Sequence, residues 1–160
     1  MIVTPPEYRC FVGNRWNPWR SLRDRTHLEF GLVSLPGPLG GGYYEPQPEG
    51  WAALLIDERL TRVDRRAVLA HELVHDERGG GCTSEDMPAS WDAVVTRDES
   101  AVDREVARRL VPADELRAFA EQHEPDGVAV WEVAAEFDVP DHVAERACRL
   151  LAAPNGWGTV

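Results

Sequence analysis

The residue types and spacing most able to do chemistry lie in the stretch Thr61 to His75, TRVDRRAVLAHELVH. His71 and His75 are four residues apart, which on a helix stacks both imidazoles on one face. Two neutral imidazoles at that separation can hold one zinc ion. Glu72, directly after the first histidine, can reach a water bound to it. With only 5 His in 160 residues, H-E-x-x-H is expected by chance about 0.015 times. The competing reading is a helix with two idle histidines, and the surrounding sequence decides between them.

That sequence predicts a helix with a defined start and stop. Thr61 can cap its first turn, and Asp64, three residues on, is a weaker relative of the glutamate of a capping box. No Gly or Pro interrupts residues 62 to 78, and Gly79, Gly80 and Gly81 end the helix. Turning 100° per residue from His71, Val63, Ala67, Ala70 and Val74 fall beside the histidines, while Leu69 and Leu73 fall opposite. A helix apolar on both sides is buried from two directions. An imidazole without a partner in such surroundings is costly.

Two histidines on one helix lack a third ligand, and RDESAVDREVARRLVP offers it. At helical spacing Glu99, Val102, Asp103, Val106 and Leu110 share one face, so two carboxylates sit on an apolar stripe and need partners. Glu99 follows His75 by 24 residues, enough for a turn between paired helices. Thr96-x-x-Glu99 also reads as a capping box, in which the glutamate only bonds to backbone. Asp103, one turn further, can accept the remaining N–H of His71 or His75 and fix its tautomer. The alternative for Asp103 is a salt bridge with a neighbouring arginine.

The remaining elements must position these groups. Residues 1 to 26 form an N-terminal arm with Trp16, Trp19 and a helical turn from Pro18 to Asp24. Residues 27 to 160 then form a single domain. HLEFGLVSL (27 to 35) reads as a strand with Leu28, Phe30 and Leu32 on one face. PGPLGGG is a loop. Tyr43 and Tyr44 open a short strand ended by Pro46 and Pro48, and WAALLID (51 to 57) is a third strand leading to the motif helix. Strands first and helices after predict an α+β domain with a small, mostly antiparallel sheet. Residues 79 to 90 read as a loop. Helices over 113 to 123, 128 to 137 and 141 to 152 form a C-terminal buttress, with Val128, Val130, Trp131, Val133, Ala134 and Phe137 supplying its apolar surface.

Composition narrows the partners. The net charge is −11, and all 17 basic residues are Arg. With a pI near 4.8, this argues against nonspecific binding to DNA or anionic lipid. VAAEFDVPDHVAERA has a helix-turn-helix-like spacing, but residues 121 to 160 hold eight acidic side chains against two arginines. Phosphate backbones would be repelled, so no direct nucleic-acid contact is expected. No apolar run approaches the ~18 residues of a membrane span. The N-terminus carries prolines and a glutamate where a signal peptide needs a basic start and an apolar run, so a cytoplasmic location is expected. Cys10, Cys82 and Cys148 are far apart and odd in number, as reduced thiols would be. Cys82 alone stands in a loop from which it can act as a stray ligand.

HELVH, then ESAVDREVARRLVP, then VAAEFDVPDHVAERACRLL resembles the ImmA/IrrE family of metallopeptidases. The strand WAALLID before the motif adds to the likeness, which covers about residues 28 to 152. The family pattern is H-E-x-x-H, an E-x-x-A-N/D run and a helix closing in L-x-P. Val102 departs from it, standing where the family commonly has alanine. The resemblance implies a zincin-like helical core with one zinc ion on His71, His75 and Glu99, and Glu72 as the base. It also implies that the substrate is a helix-turn-helix transcriptional repressor. The expected function is therefore a zinc-dependent endopeptidase. The alternative is a metal-stabilised protein that binds and inactivates a repressor without hydrolysis. Tyr43, Tyr44 and His123 are the candidates for an oxyanion donor. Strand 51 to 57, placed at a sheet edge, would hold an extended substrate by strand addition.

Overall fold

In the computed structural model, which describes residues 15–36, 41–47, 49–79, 92–123 and 127–154, a central helix separates two apolar cores. This helix, α2 (Arg62–Glu77), follows α1 (Pro18–Arg23), β1 (Leu28–Val33), β2 (Gly42–Pro46) and β3 (Ala52–Asp57). After it come α3 (Asp92–Leu110), α4 (Ala113–Glu121), α5 (Val130–Phe137) and α6 (Asp141–Ala152). Ala67, Ala70 and Val74 of α2 pack into the helical core with Val102, Val106 and Leu110 of α3 and Phe137 of α5. Leu69 and Leu73 pack on the other side against Leu54 and Ile56 of β3. This is the division that the spacing of apolar residues predicts.

The start and stop of α2 follow from their residues. Thr61 caps the helix by accepting the Asp64 amide at 3.2 Å. Its hydroxyl donates to the Asp64 carboxylate at 2.6 Å, so Asp64 reaches the threonine side chain rather than its backbone. Gly79 follows the last turn with φ +92°, a left-handed conformation that side-chain-bearing residues rarely adopt. α3 begins at Asp92, so Thr96 lies inside the helix and not at its N-cap position. The capping-box reading of Glu99 is thereby set aside.

The sheet is mixed, with strand order β1-β3-β2. β2 pairs antiparallel with β3, placing Gly42 opposite Ile56 and Tyr44 opposite Leu54. β1 pairs parallel with β3, Leu28 opposite Ala52 and Leu32 opposite Ile56. β3 is therefore central, not an edge strand, and it has no free edge for a substrate. β1 and β2 are next-nearest strands, roughly 10 Å apart, a gap that the eight intervening residues 34 to 41 are long enough to span, and β3 lies between them. As an edge strand, β1 leaves Phe30 and Leu32 partly exposed, and Phe30 packs edge-on against Trp19 of α1 at 5.6 Å between ring centroids.

The other helices close the second core. α4 begins after Pro112, and α5 ends at Asp138 in a left-handed conformation, φ 54°. Arg62 pairs with the Asp138 carboxylate, and Arg66 donates to the carbonyls of Phe137 and Asp138. The start of α2 thus satisfies the end of α5. Among the described residues no helix is long and apolar enough to cross a membrane. Cys148 is a free, partly buried thiol, while Cys10 and Cys82 lie outside the described residues, as does most of loop 79–90.

Candidate metal centre

The third and fourth turns of α2 carry the histidine pair because the two apolar faces of the helix fix it between cores, leaving the stripe between them to face α3. His71 Nε2 lies 3.0 Å from His75 Nε2. α3 brings Glu99 onto them from across the helix pair: its Oε2 is 3.1 Å from His71 Nε2 and its Oε1 is 3.3 Å from His75 Nε2. His71, His75 and Glu99 form a candidate metal-binding group among the described residues. The donor set fits a divalent ion. Tetrahedral coordination at zinc–nitrogen and zinc–oxygen bond lengths spaces neighbouring ligands by about 3.3 Å, and the three donors already stand near that spacing.

Asp103 reaches the same site from one turn further along α3. Its Oδ1 is 3.3 Å from His71 Nδ1, and its Oδ2 accepts from Arg146 of α6 at 2.9 Å. Asp103 thus has the imidazole on one oxygen and an arginine on the other. His75 has no such support: its Nδ1 is buried with no hydrogen-bond partner among the described residues.

The charges of the site oppose one another. Burial alone would lower the His71 pKa, but its bonds to Asp103 and Glu99 and the charges of Glu72 and Glu99 raise it from 6.5 to about 10. The hydrogen bonds from His71 and His75 hold the Glu99 carboxyl well below the usual range. Asp103 is lowered mainly by His71, with Arg146 adding to the effect. Glu72 is the exception. It is only 9% exposed, and burial pushes its carboxyl upward against the pull of both histidines.

Strand β2 covers Glu72. Alternation along the strand puts Gly42 and Tyr44 on the face towards α2 and Tyr43 on the other. The Tyr44 hydroxyl donates to Asp76 Oδ1 at 3.0 Å, and burial together with that bond raises its pKa to about 12. Its one proton is committed, so Tyr44 is not a free oxyanion donor. His123 follows the C-cap of α4, its Nδ1 2.8 Å from the Phe119 carbonyl, and no described contact brings it to the histidine pair. Asp76 also takes Arg25 and His27 Nε2, the latter at 2.9 Å. Asp76, Arg146 and Gly42 escape a reading of the sequence. Of these only Asp76 leaves a trace there, as the residue one turn after Glu72.

The order of these groups along the chain is that of a known family. A model of the IrrE N-terminal-like domain, a peptidase family, matches residues 33–149, well over half of the chain. The chain belongs to this family. No curated protein and no solved structure matches it significantly. The IrrE N-terminal-like family is one of metallopeptidases, and His71, Glu72, His75, Glu99, Asp103 and Arg146 all fall within the matched span. Helix α1 and β1 up to Leu32 lie before it.

Proposed function

We propose that the chain is a zinc-dependent endopeptidase acting in the cytoplasm, with a helix-turn-helix transcriptional repressor as substrate. The observation that carries the activity is the convergence of His71 Nε2, His75 Nε2 and the Glu99 carboxylate at 3.0 to 3.3 Å, beside a buried glutamate. The choice of zinc rests on this two-imidazole, one-carboxylate donor set, which is that of catalytic zinc sites with an open fourth position. The choice of repressor rests on the resemblance of the sequence to ImmA/IrrE proteins.

When bound, the ion supplies Lewis acidity towards a carbonyl oxygen and increases the acidity of a water molecule. The side chains do the rest. Glu72 accepts a proton from the water that attacks the carbonyl carbon, and it delivers that proton to the amine nitrogen as the C–N bond breaks. Burial raises its carboxyl pKa, which makes it a stronger base than a solvated carboxylate. Asp103 holds the Nδ1 proton of His71 and so leaves Nε2 free as a donor to the ion. With β3 central, the edge strand beside Glu72 among the described residues is β2. An extended substrate is held there by strand addition.

The test is a comparison of wild type with Glu72→Gln on a proteome-derived peptide mixture, with products read by mass spectrometry and metal by elemental analysis. Zinc retained at one ion per chain with cleavage lost supports the reading. Undiminished cleavage by Glu72→Gln, or a wild type that holds no zinc, overturns it.

A further inference from the structure

Gly42 belongs to no ligand set, yet its backbone lies against the proposed base. A β-carbon built at Gly42 would stand 2.6 Å from Glu72 Oε1 and 2.5 Å from Val68 Cγ1, both far inside contact. Gly42 lies in regular strand and pairs with Ile56. Its backbone conformation does not call for glycine, and glycine weakens a strand interior. The requirement is space.

The approach is fixed on two sides. Pairing with β3 sets the position of the strand in the sheet, and one helical turn beyond Glu72 the Tyr44 hydroxyl ties β2 to Asp76 at 3.0 Å. Val68, Glu72 and Asp76 stand at i, i+4 and i+8 on α2, forming one stripe. Gly42 and Tyr44, two residues apart, share the face of β2 that lies on it. The strand therefore runs along the stripe, with its bare Cα over the carboxylate and its tyrosine clamped further along.

We propose that Gly42 is a positioning residue for the Glu72 carboxylate: lacking a side chain, it lets the edge strand lie directly on that carboxylate, closing one side to water and fixing where its oxygens stand. The inference rests on the reading of Glu72 as the base. It differs from ordinary packing because one of the two atoms crowding the missing β-carbon belongs to that base.

The experiment compares wild type with Gly42→Ala, Val68→Ala, the double variant Gly42→Ala/Val68→Ala, Gly31→Ala and Glu72→Gln. The probe is the peptide that wild type cleaves fastest from the proteome-derived mixture. Gly42→Ala is expected to lower kcat roughly 10- to 100-fold, as displacement of a reacting group by about 1 Å does, with KM within about twofold. Zinc affinity, read by chelator competition, is expected to be unchanged, because the ligands are not moved.

The double variant removes the clash with Val68 and leaves the clash with Glu72, so its kcat is expected to remain equally low relative to Val68→Ala. It also serves if Gly42→Ala alone does not fold. Gly31→Ala, whose new β-carbon meets only flexible side chains of Leu55 and Val33, is expected to retain turnover. A crystal structure of the double variant is expected to show the Glu72 carboxylate displaced. Turnover of the double variant equal to that of Val68→Ala, or a carboxylate that has not moved, overturns the proposal. Full activity in Glu72→Gln instead overturns the reading of the base, and the carboxylate position in the crystal then still decides whether Gly42 positions it.

Discussion

His71 is pulled between two states, and the contest sets how the site responds to pH. In the metal-free chain it sits between Asp103 and Glu99 with its pKa raised to about 10, so it carries a proton at neutral pH. A metal takes only the neutral ring, so binding must expel that proton. Zinc uptake at pH 8 is therefore expected to release about one proton from His71, and apparent affinity to rise about tenfold per pH unit between 6.5 and about 10. Calorimetry in buffers of different ionisation enthalpy measures the release; a heat independent of buffer refutes it. The metal-free fold shows the opposite dependence. A raised folded-state pKa contributes stability that is fully present below 6.5 and is lost as pH rises through about 10. Asp103 serves both states, and Asp103→Ala is expected to weaken zinc binding about 10- to 100-fold, the usual cost of removing a partner of a ligating imidazole. Arg146→Ala, which leaves the carboxylate in place, is expected to cost less, and chelator competition on the two variants gives the order. Asp103 was readable from the sequence because it shares a helical stripe with Glu99. Arg146 was not, because α6 reaches α3 only through the tertiary fold and no spacing of residues encodes that approach.

Among the elements, α2 carries the site because it is fixed from both sides. Leu73 is fully buried against β3 while Val74, next to it, is buried in the helical core, so a slip of either packing face rotates both histidines away from Glu99. Leu73→Ala is expected to cost about 2–5 kcal/mol. Thr61→Ala, which removes the cap, is expected to cost about 1 kcal/mol. Urea denaturation of the metal-free proteins measures both, and equal costs would contradict the double-sided packing. This helix was legible in full, since its boundaries and both faces depend on neighbours within a few turns. The sheet was legible as three strands but not in its order. Pairing of β1 with β3 depends on where the 34–41 connection lands, and a Pro- and Gly-rich loop permits a hairpin and a crossing equally. The sequence therefore suggested that β3 would offer an edge, whereas β2 has the edge and the approach to Glu72. The close fit of Gly42 was equally hidden, because a glycine in GGGYY reads as part of a turn until a helix is found beneath it.

At the scale of the molecule, the family match begins at residue 33, yet the described residues before it, from Arg15 on, include several that pack against the core. Trp16 packs against both apolar clusters, and Trp19 and Leu22 pack against the one beneath the sheet. Arg15 bonds to Glu115 of α4 and Glu136 of α5 and lies over the ring of Phe137. Arg25 pairs with Asp76 and Glu77 at the end of α2, and Glu77 is shared with Arg109 of α3, whose guanidinium lies over Trp16. The described part of the arm thus touches α2, α3, α4 and α5, the first two of which carry the candidate metal ligands. Arg15 and Arg25 are partly buried and each is shared between two carboxylates, unlike lone surface pairs, which contribute little. Each large apolar side chain taken fully from water is worth about 1.5–3 kcal/mol, so three partly buried ones approach a sizeable share of the roughly 5–15 kcal/mol that holds a domain folded. A chain beginning at residue 28, which keeps every described strand, every candidate ligand and all of the matched span, is therefore expected to melt well below the full chain. Excess zinc is expected to recover part of the loss, because it binds only the folded form and ties α2 to α3 directly. Thermal denaturation of both chains with and without zinc makes the comparison. Equal midpoints without metal would show that the arm is an appendage. A truncated chain that folds only with zinc would show that the ion and the arm hold the same pair of helices.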